Sequence, residues 1–327
     1  MMANEKIISG GPGIHPERLR QGASSMTGCE DRGQLRVTIL GSGTPTPRPD
    51  RFGSCVLIEA GSQKLLVDAG RGASIRLWQL KIPLGRIDAL FITHFHSDHI
   101  SGIPDLWLTG WLAPAWGQRK TPFRVIGPTG SQLLMSKLEE AYALDINIRL
   151  QDEKMPIDGI KTDVMEFDRD GVVYEKDGLA VTAFEVDHGE VIKPAFGYRF
   201  DYRGRSAVLS SDTRYHPNVV KYSMGADLLI HEVGAARPEL MQIPSMKRIL
   251  DHHTTPQDAA SVFNQAKPKL AAYIHMVLPS TDDIPAVTVE QLVAETRRYY
   301  RGPLEIGEDL MSFDIGDTVT VRRFATT

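Results

Sequence analysis

Short apolar runs bounded by glycine, proline and charged clusters recur from residue 35 onward, and stretches of helical period separate many of them. Leu35 to Leu40, Cys55 to Glu59, Lys64 to Asp68, Asp88 to Thr93 and Phe123 to Ile126 read as strands. So do Leu179 to His188, Ser206 to Leu209, Asp227 to Val233 and Leu270 to His275, with further strands near Leu304 and from Met311 to Thr320. Helices are predicted over about residues 73–80, 101–112, 129–144, 256–267 and 287–300, with a proline in the first turn of the second and Thr255 capping the fourth. Strands and helices alternate through both halves without a linker, which predicts an α/β protein of two packed mixed sheets with helices on the outer faces. Residues 1–33 are rich in Gly, Ser and charge and lack the apolar stretch of a secretion signal, so a flexible arm is expected ahead of one domain over 34–327.

Polar residues change this picture where apolar strands stop. The run from Asp88 leads directly into His94-Phe-His-Ser-Asp-His99, four metal-binding side chains within six residues. Their spacing is not the i, i+4 of a helical site, so a loop is expected to fan His94, His96, Asp98 and His99 toward a common centre. Imidazoles and a carboxylate suit zinc, with iron or manganese as alternatives. Asp68 also ends a strand, where it either orients one of those histidines or serves a turn. Gly41-Ser-Gly43 is not read as a dinucleotide loop, because no helix follows and two prolines interrupt it. Trp107 and Trp111 share a helix face, as core, as a subunit contact or as the wall of a pocket for an aromatic substrate.

Composition adds limits. With 42% hydrophobic and 24% charged residues the chain is an ordinary globular protein, and a net charge of −4 gives no reason to expect a polyanionic partner. Cys29 and Cys55 have no metal-type spacing and are expected as free thiols. No run approaches the roughly 18 apolar residues of a membrane span, so no membrane partner is expected. A cytoplasmic location is expected, or a periplasmic one if an export signal is missing from this chain. Residues 151–180 hold nine Asp or Glu against four Lys or Arg and read as acidic hairpin strands with exposed turns.

The His-x-His-x-Asp-His segment resembles the signature of the metallo-β-lactamase superfamily of dinuclear metallohydrolases. That resemblance implies an αββα sandwich with His94, His96 and His188 at one metal, Asp98, His99 and His275 at the other, and Asp212 of Ser-Asp-Thr bridging them. Two zinc ions per chain, with Mn2+ or Fe2+ as substitutes, would lower the pKa of a shared water toward 7 and so supply a hydroxide that attacks a sulfate or phosphate ester. Asp98 is counted among the catalytic residues as well. His253 of His-His-Thr-Thr is similar to the proton donor of ribonuclease Z and its relatives, and Glu232 of His-Glu-Val to the acidic residue that orients it. His252 is the alternative if the register differs by one. A carboxylate beside His253 is expected to keep it protonated near pH 7.

Two branches of the superfamily share these motifs. Ribonuclease Z, which trims the 3′ end of precursor tRNA, shares the Leu-Gly-Ser-Gly-Thr loop, Phe-Gly-Tyr, Ser-Asp-Thr, His-Glu and His-Thr-Thr, but carries a basic clamp arm in the interval that is acidic here. The zinc-dependent arylsulfatase-like branch is similar over most of residues 35–317, through Pro104 to Leu112, Glu185 to Gly189, Asp212 to Tyr215 and Gly307 to Met311. The expectation drawn is a homodimeric, arylsulfatase-like dinuclear zinc hydrolase of small aryl esters, with phosphodiesterase or phosphotriesterase activity and no nucleic-acid partner. The alternative is a ribonuclease Z-type endonuclease, followed by a lactonase or a non-catalytic metal-binding module.

Overall fold

The computed structural model describes residues 34–324, and the arm expected over 1–33, with Cys29, lies outside the described residues. Strands are numbered in chain order: β1 (Leu35–Gly41), β2 (Cys55–Ala60), β3 (Gln63–Val67), β4 (Ala89–Phe91), β5 (Phe123–Pro128), β6 (Thr162–Phe167), β7 (Gly171–Lys176), β8 (Leu179–Glu185), β9 (Phe196–Tyr202), β10 (Arg205–Leu209), β11 (Leu228–Gly234), β12 (Leu270–Val277), β13 (Leu304–Ile306), β14 (Ser312–Ile315) and β15 (Val319–Arg322). They form one sheet in the order β15-β14-β1-β2-β3-β4-β5-β6 and a second in the order β13-β12-β11-β10-β9-β8-β7.

Alternating residues explain why two sheets stack. Val37, Ile39, Val56, Ile58, Leu65 and Val67 of the first sheet pack against Val181, Ala183, Tyr198, Phe200, Ala207 and Ile230 of the second. The opposite face of the first sheet, including Leu57, Leu66 and Leu90, buries the helices carrying Leu77, Trp107, Trp111 and Met135. That of the second, including Val208, Leu229 and Tyr273, buries Phe263 and Leu292. The result is the expected αββα sandwich. Trp107 and Trp111 are fully buried, their indole N–H groups donating to Ile160 O at 2.9 Å and Pro156 O at 2.8 Å, so they are core rather than a substrate wall.

Two of the differences from the sequence reading fall in and just before the acidic interval. The helix expected over 129–144 is two, Ser131–Ala141 and Ala143–Gln151, so helix runs up to the first residue of the acidic interval. The rest of that interval is not one hairpin. β6 joins the first sheet parallel to β5, while β7 joins the second, turning into β8 through Asp177-Gly178 with φ of 48° and 82°, values glycine adopts freely. Several of its carboxylates have internal work. Glu166 accepts from the N–H groups of Gly130 and Gln132, Asp170 from that of Glu185, and Glu153 and Asp158 pair with Arg149 and Lys161. Among the described residues no helix is long and apolar enough to cross a membrane.

Candidate metal centre

The loops after β3, β4, β8 and β10, with positions inside β11 and β12, supply most of the polar residues flagged in the sequence, and the structure brings them together. His94, His96, His188 and Asp212 form one group and Asp98, His99 and His275 another, the ligand atoms in each lying within 4.8 Å of one another. Asp212 belongs to both neighbourhoods, its Oδ2 lying 3.9 Å from His94 Nε2, 3.7 Å from His188 Nε2, 3.4 Å from His99 Nε2 and 3.3 Å from His275 Nε2.

Local backbone explains how neighbours in sequence reach one centre. His94 and His96 follow β4 on a loop, as expected, but Asp98 and His99 lie on a short helix, Ser97–Ile100, that His96 caps. A helical turn separates adjacent side chains by about 100°, which lets consecutive residues approach the centre from different sides. The helix is held by β3: Ala69 N donates to His99 O, and Gly70 packs so close that a Cβ there would sit 2.1 Å from Asp98 O. His275 does not end its strand. β12 continues to Val277, and the ladder with β11 skips His275, which adopts φ +45° and turns its ring toward the cluster.

The outer ring nitrogens are committed elsewhere. Asp68 Oδ2 accepts from His99 Nδ1 at 2.7 Å and from Thr93 Oγ1 at 2.8 Å, and Thr93 Oγ1 in turn accepts from His94 Nδ1 at 3.0 Å. His188 Nδ1 donates to His252 O at 3.0 Å. These bonds place the Nε2 lone pairs of His94, His99 and His188 toward the centre. Asp68 is therefore an orienting acceptor rather than a turn residue.

Charge in the cluster is divided. Burial pushes His94 well below the ordinary imidazole value and His188 down to about 3. Burial also opposes charge on His99 and His275, but Asp212 with Asp68 raises the first well above its usual value and Asp212 with Asp98 raises the second. The imidazoles likewise outweigh burial at Asp212 and hold its carboxyl well below the usual range. Asp98 and Asp212 thus draw positive charge toward the centre, charge that a divalent cation would supply. His99 Nε2 is buried without a hydrogen-bonding partner, and His94 Nε2, His96 Nδ1 and His188 Nε2 crowd at 3.0 and 3.2 Å. This donor set fits cations.

His253 and Glu232 meet beside the cluster. His253 Nδ1 is 3.1 Å from Glu232 Oε2, while Glu232 Oε1 accepts from Thr254 N at 2.7 Å and Thr213 N at 3.3 Å. His252 offers its backbone to His188 instead, and His231 turns away to pack on Phe263. The expected protonated imidazole is not what the site produces. Burial pushes His253 down to about 4, and burial with nearby Asp212 pushes Glu232 well up.

Sequence reasoning missed Asp309, whose side chain accepts from Ser42 N, Ser42 Oγ, Phe52 N and Arg76 and so ties the loop after β1 to the site. Ser42 O accepts from His275 N at 3.0 Å. The signal was present as the Gly-Glu-Asp-Leu-Met run, read only as a family likeness.

Residues 63–276 match the family model described as beta-lactamase superfamily domain. Ribonuclease Z of Mycobacterium marinum is 31% identical over 286 residues, 86% of this chain and 99% of its own. Among solved structures, the metallo-beta-lactamase fold protein YhfI from Bacillus subtilis aligns with a TM-score of 0.66 at 18% identity, over 86% of this chain and 99% of its own. The short form of human tRNase Z aligns with a TM-score of 0.64 at 23% identity, with the same coverage. These relatives overturn the expected small aryl ester substrate and the expected absence of a nucleic-acid partner. The argument from the acidic interval fails physically, because that interval is built into both sheets with several of its carboxylates paired. The chain belongs to the metallo-β-lactamase superfamily and is a metal-dependent hydrolase of ester bonds.

Proposed function

We propose that this protein is a ribonuclease Z-type endonuclease that hydrolyses a phosphodiester bond of precursor tRNA in the cytoplasm. The observation that carries the reading is the likeness to ribonuclease Z over 99% of that relative's length. The His253–Glu232 pair beside the cluster supports it, because a departing ribose oxygen needs a proton. His94, His96 and His188 would hold one ion, Asp98, His99 and His275 a second, and Asp212 would bridge them. Bound there, two zinc ions supply an acidified water as nucleophile and positive charge for the phosphate oxygens. Asp68 and His252 O keep the ring nitrogens of His99 and His188 aimed inward throughout.

His253 moves the proton. With Glu232 carrying its proton on Oε2 toward Nδ1, the imidazole holds its own hydrogen at Nε2. His253 then gives the Nε2 proton to the leaving oxygen while Nδ1 takes one from Glu232, so no imidazolium needs to persist in a buried site. The test is purified protein assayed on a precursor tRNA, an aryl phosphodiester and an aryl sulfate, with His253→Ala alongside. The expected result is cleavage at the tRNA 3′ side, reduced about 10²–10⁴-fold by His253→Ala with the metal content unchanged. Turnover of the sulfate and none of the RNA would reverse the reading.

A further inference from the structure

A cavity of about 790 Å³, within the range of roughly 300–1,000 Å³ typical of small-molecule sites, is lined in part by His253. Its walls are largely apolar, with Met241, Leu250, Val287 and Leu292 contributing, and two arginines, Arg214 and Arg237, also line it. Arg214 is paired with Asp187 at 2.7 Å. Arg237 is anchored through Nε to Pro285 O at 2.9 Å and has no carboxylate partner among the described residues. Asp258, which accepts from Thr255 Oγ1 at 2.8 Å, and Glu295, which pairs with Arg298 at 2.9 Å, also line it.

Resting on the ribonuclease reading above, we propose that this cavity binds the nucleoside on the leaving side of the scissile phosphate. His253 fixes the side. One of its ring nitrogens lies within 4.8 Å of Asp212 and His275, while the same residue lines the cavity, so a group whose oxygen it protonates has this space beside it. The chemistry of the walls matches a ribonucleotide. Apolar side chains cover the faces of a heterocycle, carboxylates accept from exocyclic amino groups of cytosine, adenine or guanine, and a guanidinium free of acid partners takes the adjoining phosphate.

The experiment titrates the metal-loaded protein with adenosine 5′-monophosphate, cytidine 5′-monophosphate and inorganic phosphate by calorimetry, in wild type and in Val287→Trp, which fills the cavity from a half-buried wall position. Cleavage of precursor tRNA is measured on the same samples. Expected are nucleotide affinities at least tenfold tighter than that of phosphate, a loss of tenfold or more for the nucleotides alone in Val287→Trp, and a matching fall in kcat/KM on RNA. Should that variant fail to fold, Met241→Trp occupies the same space. Equal binding of nucleotide and phosphate, or nucleotide affinities within twofold of wild type in the filled variant, would overturn the proposal. Tight nucleotide binding lost on filling, with tRNA uncut, would remove the tRNA reading and keep the subsite. Cleaved tRNA with no effect of filling would do the reverse.

Discussion

Replacing Asp309 by alanine should loosen both the fold and the edge of the site that holds His275. The carboxylate is 4% exposed and accepts from Ser42 N at 2.8 Å, Ser42 Oγ at 2.7 Å, Phe52 N at 2.8 Å, and Arg76 Nε and Nη2 at 3.1 and 2.8 Å. Arg76 is itself only 11% exposed, so truncation strands a nearly buried guanidinium and two backbone N–H groups. Breaking a buried pair from one side costs about 3–5 kcal/mol, and an unsatisfied buried donor about 1–3 kcal/mol. The donors share one acceptor and cannot be added separately, so about 3–5 kcal/mol is expected in total, or about 5–8 °C in Tm for a domain of this size. Urea and thermal unfolding of Asp309→Ala, with exposed Asp317→Asn as the control expected within about 0.5 kcal/mol, measure it. Since His275 N donates to Ser42 O, the variant should also bind its second metal more weakly. A loss under about 1 kcal/mol with two ions still bound would refute the reasoning.

The remaining predictions test other parts of the molecule. Asp212→Ala should abolish hydrolysis and lower metal content, because Oδ2 stands between both histidine groups; elemental analysis still finding two ions per chain would remove its bridging role. Burial pushes the Asp314 carboxyl up, but Arg36 and Arg322 outweigh it and lower its pKa, so its contribution is present above about pH 4 and lost as pH falls through the depressed value. Both arginines are well exposed, so Asp314→Asn should cost only about 1 kcal/mol at pH 7, and the difference from wild type should vanish once the pH is below the depressed value; a gap that persists in acid would contradict this. Trp107→Phe should lose about 1–3 kcal/mol by leaving Ile160 O unpaired, with KM unchanged, whereas a raised KM would return this residue to the substrate.

Much of the architecture was legible because apolar alternation reports burial on each sheet face, and the candidate residues were legible because they cluster where strands stop. The missing parts depend on tertiary position. No periodicity marks His275 as bulged rather than terminal, since the bulge is a property of the β11–β12 ladder. The acidic interval looked like a free surface because local charge does not show which carboxylates will cap a helix, as Glu166 does, or close a loop, as Asp170 does. The protonation of His253 was misjudged for a related reason. A carboxylate neighbour is visible in the motif, but the depth of burial that reverses its effect is not.

One carboxylate serves both halves of the candidate centre. Asp68 grips His99 directly and His94 through Thr93, so a tilt of this single side chain reaches imidazoles in both groups. Occupancy of the two cation positions should therefore be cooperative, and an evolutionary change of metal preference at one would be constrained by what the other tolerates.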